Sequence, residues 1–261
     1  CSGYRMAMSF SAILRQASSD YGKHLSLFLQ VAFILYFVPT VLLETFVRVY
    51  PAVAAPENEL IQMIELAAAL VGVLLSLLLT FTIINVLIMK RNKEEPSVWQ
   101  AIAKGTDHYG RGLITYFLLV LGLGALFLLL IIPGMIFAVY WAFVLYALIT
   151  DNCTVFGSFK QSMAIVRGRW WEVLGYFMLL FIILGIAMFA VLIMIFMTGA
   201  LIGAFAHILG LGQQADIDLF LGFIGIFLWS GFQMFATPFI LTFMERYYLE
   251  LKKARREHQN P

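Results

Sequence analysis

Apolar residues in this chain gather in long unbroken runs, and polar residues fall into short stretches between them. Runs such as Leu118–Phe137 and Phe177–Phe196 do not alternate, so they predict helices rather than strands of a barrel. Their length matches a bilayer crossing, which takes about 20 helical residues. Six spans follow: about Leu25–Val47, Leu60–Met89, Leu113–Ile132, Met135–Thr150, Val173–Phe196 and Leu219–Phe243. Pro39 predicts a kink in the first. Pro133-Gly134 reads as a tight turn between the third and fourth. The Gly-rich stretch Thr198–Leu211 reads as a bent continuation of the fifth, and Gln213–Asp218 as a polar loop.

A second pattern lies between the spans. Phe10–Leu25, Val98–Leu113 and Phe156–Trp171 each read as a short amphipathic helix running into a glycine and a basic residue, just before an apolar run. The pairs are Gly22-Lys23, Gly110-Arg111 and Gly168-Arg169. Tyr21-Gly22-Lys23 and Tyr109-Gly110-Arg111 are alike, whereas Arg167-Gly168-Arg169 lacks the aromatic. Placement before spans one, three and five predicts a threefold internal repeat, each unit an amphipathic segment, a span, a turn and a span. The units are about 8–93, 97–153 and 155–247, within one integral membrane domain 1–261 that ends in a charged tail, 248–261. Ser97 is placed to cap the second amphipathic helix. The expected fold class is therefore all-α: a polytopic membrane protein with six transmembrane helices and three amphipathic helices on one side.

Composition agrees and charge adds a direction. The 261 residues are 62% hydrophobic and 12% charged, against about 25% charged in a soluble domain. Of the 17 lysines and arginines, all but Arg48 fall on one side of the six-span arrangement. Basic residues are retained in the cytoplasm, so both termini are expected there, in a bacterial cytoplasmic (inner) membrane. The start Cys-Ser-Gly is read as a cloning remnant or an unusual start in preference to a lipidated end at Cys1, which would place it outside.

Candidate chemistry is sparse. The cysteines are Cys1 and Cys153, too few for a disulfide framework. His24, His108, His207 and His258 have no ligand-like spacing, so no metal and no cofactor is expected. No phosphate loop, no zinc-protease motif and no serine with a base at recognisable spacing occurs, and no catalytic residue is assigned. Polar residues within spans are Gln30, Asn85, Gln233 and Thr237. They form a possible polar cavity, against interhelical hydrogen bonding as the plainer reading. Pro39 and Pro238 are the irregular points at which a transporter would expose backbone. Glu44, Arg48 and Glu65 form a possible outer polar cluster, with Glu44 and Arg48 at pairing distance along a helix. On the inner face Lys23, Arg111, Lys160, Arg167 and Arg169 are expected to meet anionic lipid headgroups, together with Lys252, Lys253, Arg255 and Arg256 of the tail. Asp151 and Glu172 are placed to pair with Arg167 or Arg169. The basic residues follow the orientation rule and form no reader motif, so nucleic acid is not an expected partner.

One stretch carries a resemblance. Ile131-Ile132-Pro133-Gly134-Met135-Ile136, then Gly157-Ser158-Phe159-Lys160-Gln161-Ser162 and Arg167-Gly168-Arg169-Trp170-Trp171, resembles the YciC-like (UPF0259) family of bacterial inner-membrane proteins. It is also similar to the membrane domain found beside glycerophosphodiester phosphodiesterases. The similarity covers about Leu119–Leu179 and implies about six spans and no catalytic residues. The phosphodiesterase site of the fused proteins lies in a separate soluble barrel, for which this chain has no room.

The resulting expectation is a non-enzymatic integral membrane protein that scaffolds protein partners or organises lipid at the cytoplasmic membrane. The alternative is a transporter or channel for a small or lipidic substrate, which requires a hollow, polar-lined centre. An intramembrane enzyme would require histidines or carboxylates facing one cavity.

Overall fold

A computed structural model describes residues 9–53, 58–209 and 214–259. Cys1, the loop at Pro56 and most of the loop at Gln213 carry expectations that lie outside or at the edge of the described residues. Within them the chain is all-helical: α1 Phe10–Ala32, α2 Val38–Val53, α3 Asn58–Arg91, α4 Val98–Asp107, α5 Tyr109–Leu129, α6 Ile131–Tyr140, α7 Val144–Thr150, α8 Val155–Val166, α9 Trp170–Leu209 and α10 Gln214–Gln259. Six stretches are long and apolar enough to cross a membrane: Phe10–Val49, Ile61–Arg91, Tyr109–Leu129, Ile131–Thr150, Trp170–Phe205 and Leu221–Glu257.

Several local expectations change. The kink expected at Pro39 becomes a π-helical turn, Phe33–Phe37, between α1 and α2. A proline ring strikes the carbonyl four residues earlier, here Leu35, and the wider turn relieves that contact. The turn expected at Pro133-Gly134 falls at Leu130, which is extended. Pro133 is then the third residue of α6, where a helix has no use for its missing N–H. Gly134 serves packing instead, because a Cβ there would lie 2.6 Å from the Phe127 ring. The fourth span is two helices, α6 and α7. α9 continues as one helix past Phe196 to Leu209, and α10 joins the sixth span and the charged tail in one helix with Pro238 inside.

The repeated elbow is not one structure. Gly22 lies in the middle of α1, Gly110 is the second residue of α5, and only Gly168 is a left-handed break, with φ 87°. Of the amphipathic segments, α4 and α8 are separate helices. The first is continuous with the span that follows it. Ser97 caps α4 as expected, in a reciprocal box with Gln100, and Thr154 caps α8.

The described packing forms two compact units. One comprises Cys1–Val31, Leu77–Leu179 and Thr237–Pro261; the other comprises Ala32–Ser76 and Leu180–Ala236. The first is centred on Phe143, whose ring lies 5.7 to 6.4 Å from those of Tyr146, Phe177, Tyr247 and Tyr248. Such aromatic contacts add about 0.5–1.5 kcal/mol each beyond area burial. In the second, Phe37 stacks on Phe33 and meets Phe227 edge-on. Only 6% of the most apolar window of α9 is buried, and Phe181, Phe189 and Phe196 are exposed along it. Such a surface is solvated by acyl chains.

Candidate functional site

The chemistry of the first unit gathers where α10 meets the other helices through its polar residues. Glu245 is buried, and its carboxylate accepts a hydrogen bond from Arg91 of α3 at 3.3 Å. Arg246 pairs with Asp20 of α1 at 2.6 Å. Two turns on, Lys252 pairs with Asp151, the residue after α7. Asp151 also accepts hydrogen bonds from the Tyr248 hydroxyl at 2.8 Å and the Gln161 amide of α8 at 3.3 Å. Each pair is partly or largely withdrawn from solvent, and hydrogen bonds to charged groups contribute about 1.5–3 kcal/mol each. One helix end thus clamps α1, α3 and the α7–α8 junction. The expected partners of Asp151, Arg167 and Arg169, are replaced by Lys252 because α10 crosses the junction there.

The break between α6 and α7 is held by one side chain. Ser162 of α8 donates to the Tyr140 carbonyl at 2.7 Å and accepts from the Phe143 N–H at 3.2 Å. These backbone groups are left without helical partners by the turn, and the hydroxyl satisfies both.

After α8 the chain turns through Arg167 and Gly168 into α9. The Arg169 N–H closes onto the Val166 carbonyl and the Val173 N–H onto the Arg169 carbonyl. Trp170 is fixed by its indole N–H on the Ile136 carbonyl at 3.2 Å, and it packs edge-on against Trp171 at 4.6 Å between ring centres. Gly168, Arg169, Trp170, Trp171 and Glu172 line an open-sided cavity of about 310 Å³. Glu172 Oε1 is shut off from solvent and accepts no hydrogen bond. A second cavity of about 430 Å³ lies at the α3–α4 turn, lined by Glu94, Glu95, Gln100, Lys104 and Asp107 among others.

The residues singled out from sequence divide. Lys23, Arg111, Lys160 and Arg167 are exposed, and Arg169 is half-buried in the cavity. Gln30 donates to Ser26 and Asn85 to the Phe81 carbonyl, each on its own helix. Thr237 is half-buried in the first unit, and Gln233 half-buried in the second. Glu44, Arg48 and Glu65 are exposed in the second unit, and no ion pair joins them among the described residues. Arg48 lies instead against α10: a Cβ on Gly222 would be 2.8 Å from its guanidinium. Asp20, Glu245 and Tyr248 were not singled out. A carboxylate beside an arginine in an otherwise apolar helix, as at Glu245-Arg246, is the available signal.

Among the described residues no group of three histidine, cysteine or carboxylate side chains is placed to hold a metal ion. Burial, and then Arg111, lower the pKa of His108, which favours the neutral imidazole. Burial and the Asp151 carboxylate raise that of the Cys153 thiol, which disfavours the thiolate.

Fold and side chains define an all-helical, multi-pass membrane protein whose ion pairs, among the described residues, fall in one of two packed units. Residues 101–251, more than half of the chain, match a domain family of unknown function, DUF7847, and the chain belongs to that family. The matched region runs from α4 to α10 and contains Ser162, Asp151 and Tyr248. No curated protein and no solved structure matches the chain.

Proposed function

We propose that the protein is a non-enzymatic organiser of lipid at the cytoplasmic face of a bacterial inner membrane, with both termini on that face. The observation that carries this reading is a partition of the cations. Arg91, Arg246 and Lys252 turn into ion pairs within the first unit. Lys23, Arg111, Lys160 and Arg167 remain exposed, and so do Trp99, Phe156 and Trp171 at the starts of α4, α8 and α9. Exposed aromatics beside exposed cations suit the headgroup layer, where tryptophan is favoured and anionic lipid attracts basic side chains. The charge asymmetry of the sequence supports the orientation, and the similarity of Leu119–Leu179 to YciC-like proteins supports the setting. The transporter or channel reading is less well supported, because the Gln30 and Asn85 amides are engaged on their own helices and large aromatic rings fill the first unit.

The test is lipid retention. The full chain, purified in mild detergent, is expected to keep phosphatidylglycerol through native mass spectrometry. The combined variant Lys23→Gln, Arg111→Gln, Lys160→Gln, Arg167→Gln should keep its fold and lose most of that lipid, at about 1 kcal/mol per cation. Unchanged retention in the variant refutes the reading.

A further inference from the structure

We infer that the cavity at the α8–α9 elbow is a site for a zwitterionic phospholipid headgroup, a phosphodiester bearing a primary ammonium as in phosphatidylethanolamine. The inference rests on the lipid reading above and assigns one headgroup to one place. The cavity, about 310 Å³, falls at the lower end of ligand-sized clefts. Its charged side chains are one of each sign, Arg169 and Glu172. A purely anionic headgroup would face the Glu172 carboxylate as well as the Arg169 guanidinium. A dipolar headgroup answers both.

The two ends of the headgroup have distinct receptors. The phosphate meets the Arg169 guanidinium and the first-turn N–H groups of α9, which begins at Trp170 and is positive at that end. Gly168, at φ 87°, turns the chain sharply into the helix there, in a conformation that side chains disfavour. The ammonium meets Glu172, whose Oε1 lacks a donor although it is withdrawn from solvent. A buried carboxylate oxygen with no hydrogen bond is costly, and an N–H donor from a ligand removes that cost. The exposed face of Trp171 offers a cation–π contact to the same group.

The source is a membrane lipid rather than a free solute. On α9 the residues following Trp171 on the same face are Gly175 and Met178. Nothing lies within 4 Å of a Cβ built on Gly175, and Met178 is 57% exposed. This is a notch and an apolar rail leading away from the headgroup cavity, as an acyl chain requires.

The experiment is competition on the full chain in detergent. Phosphatidylethanolamine, phosphatidylcholine and phosphatidylglycerol with the same acyl chains are offered in equal amounts, and bound lipid is counted by native mass spectrometry. Phosphatidylethanolamine should exceed phosphatidylcholine about tenfold, because the quaternary headgroup donates no hydrogen bond to Glu172. Glu172→Gln should remove that preference and leave phosphatidylglycerol retention unchanged. Trp171→Ala alters an exposed side chain, so the fold survives, and it should lower retention of both zwitterionic lipids while leaving phosphatidylglycerol unchanged. Equal binding of the two zwitterionic lipids by the wild type, or an unchanged preference in Glu172→Gln, overturns the inference. Displacement by equimolar glycerophosphoethanolamine overturns the lipid source. If the wild type keeps no lipid at all, the general reading falls too; if it keeps phosphatidylglycerol without preferring phosphatidylethanolamine, only this inference falls.

Discussion

Two glycines on one turn of α5 should respond to alanine with opposite signs. A Cβ built on Gly110 meets nothing within 4 Å. A Cβ built on Gly112 would lie 2.3 Å from Phe81 Cζ and 2.5 Å from Cε2, closer than real contacts allow. Phe81 is completely buried on α3 and packs edge-on against Tyr109 at 5.9 Å, so its ring has little room to swing aside. Alanine in a helix gains up to about 1 kcal/mol over glycine. Gly110→Ala receives that gain alone, reduced because it sits in the first turn, and should be neutral or slightly stabilising. Gly112→Ala receives the same gain against an overpacking cost of about 1–3 kcal/mol. The two variants should therefore differ by about 1–3 kcal/mol, with Gly112→Ala the less stable. Unfolding of the full chain in one detergent, followed by circular dichroism against added dodecyl sulfate, measures the difference. Phe81→Leu makes space beside Gly112, so the double variant Phe81→Leu, Gly112→Ala should be more stable than the sum of the singles by about 1 kcal/mol. Equal stability of the two glycine variants, or no coupling to Phe81, would refute the packing argument.

Two further perturbations address the α6–α9 region. Ser162→Ala leaves the Phe143 N–H and the Tyr140 carbonyl unmatched inside the protein, so it should cost about 1–3 kcal/mol and speed amide exchange at Phe143. Unchanged exchange would mean the hydroxyl does not hold the break. Gly168→Ala places a side chain at φ 87° and should cost about 1–2 kcal/mol, with Gly168→Asn milder. A thermal midpoint indifferent to both substitutions would show that the elbow relaxes.

What was legible in the sequence follows from the range of the physics. The six spans could be read because burial in lipid is written into composition, run by run. α4 and α8 could be read because their apolar positions repeat at helical spacing, and Ser97 marks the start of α4 locally; the Thr154 cap of α8 shows only in the structure. The elbows could not, because glycine permits a break without requiring one. At Gly22 nothing crowds the helix and α1 continues through it. At Gly110 the interruption belongs to His108, whose φ of −104° and ψ of 1° fall outside the helical region. At Gly168 the left-handed conformation is real. Three similar tripeptides thus adopt three backbones. Gly105 and Gly112 matter more, since Cβ atoms there would strike Thr82 and Phe81. That requirement comes from α3 and leaves no mark beside the glycines themselves.

The cations sharpen the same distinction between local and long-range signals. As an orientation signal all lysines and arginines count alike, since acidic neighbours contribute little to the positive-inside bias. As binding residues they do not. Arg246 and Asp20 are 2.6 Å apart in space and at opposite ends of the chain, so neither announces the pair in sequence. Lys252 sits in a basic tail that reads as headgroup-binding, yet its ammonium is held by Asp151. Subtracting the paired cations leaves a smaller, exposed set that includes Lys23, Arg111, Lys160 and Arg167, whereas Arg169 is half-buried beside Glu172 at the elbow. Lipid attraction by the exposed set should therefore weaken with salt, because unpaired surface charge is screened over about 10 Å at 0.1 M ionic strength. Headgroup choice at the elbow, set by hydrogen bonding to a partly buried Glu172, should persist under the same conditions.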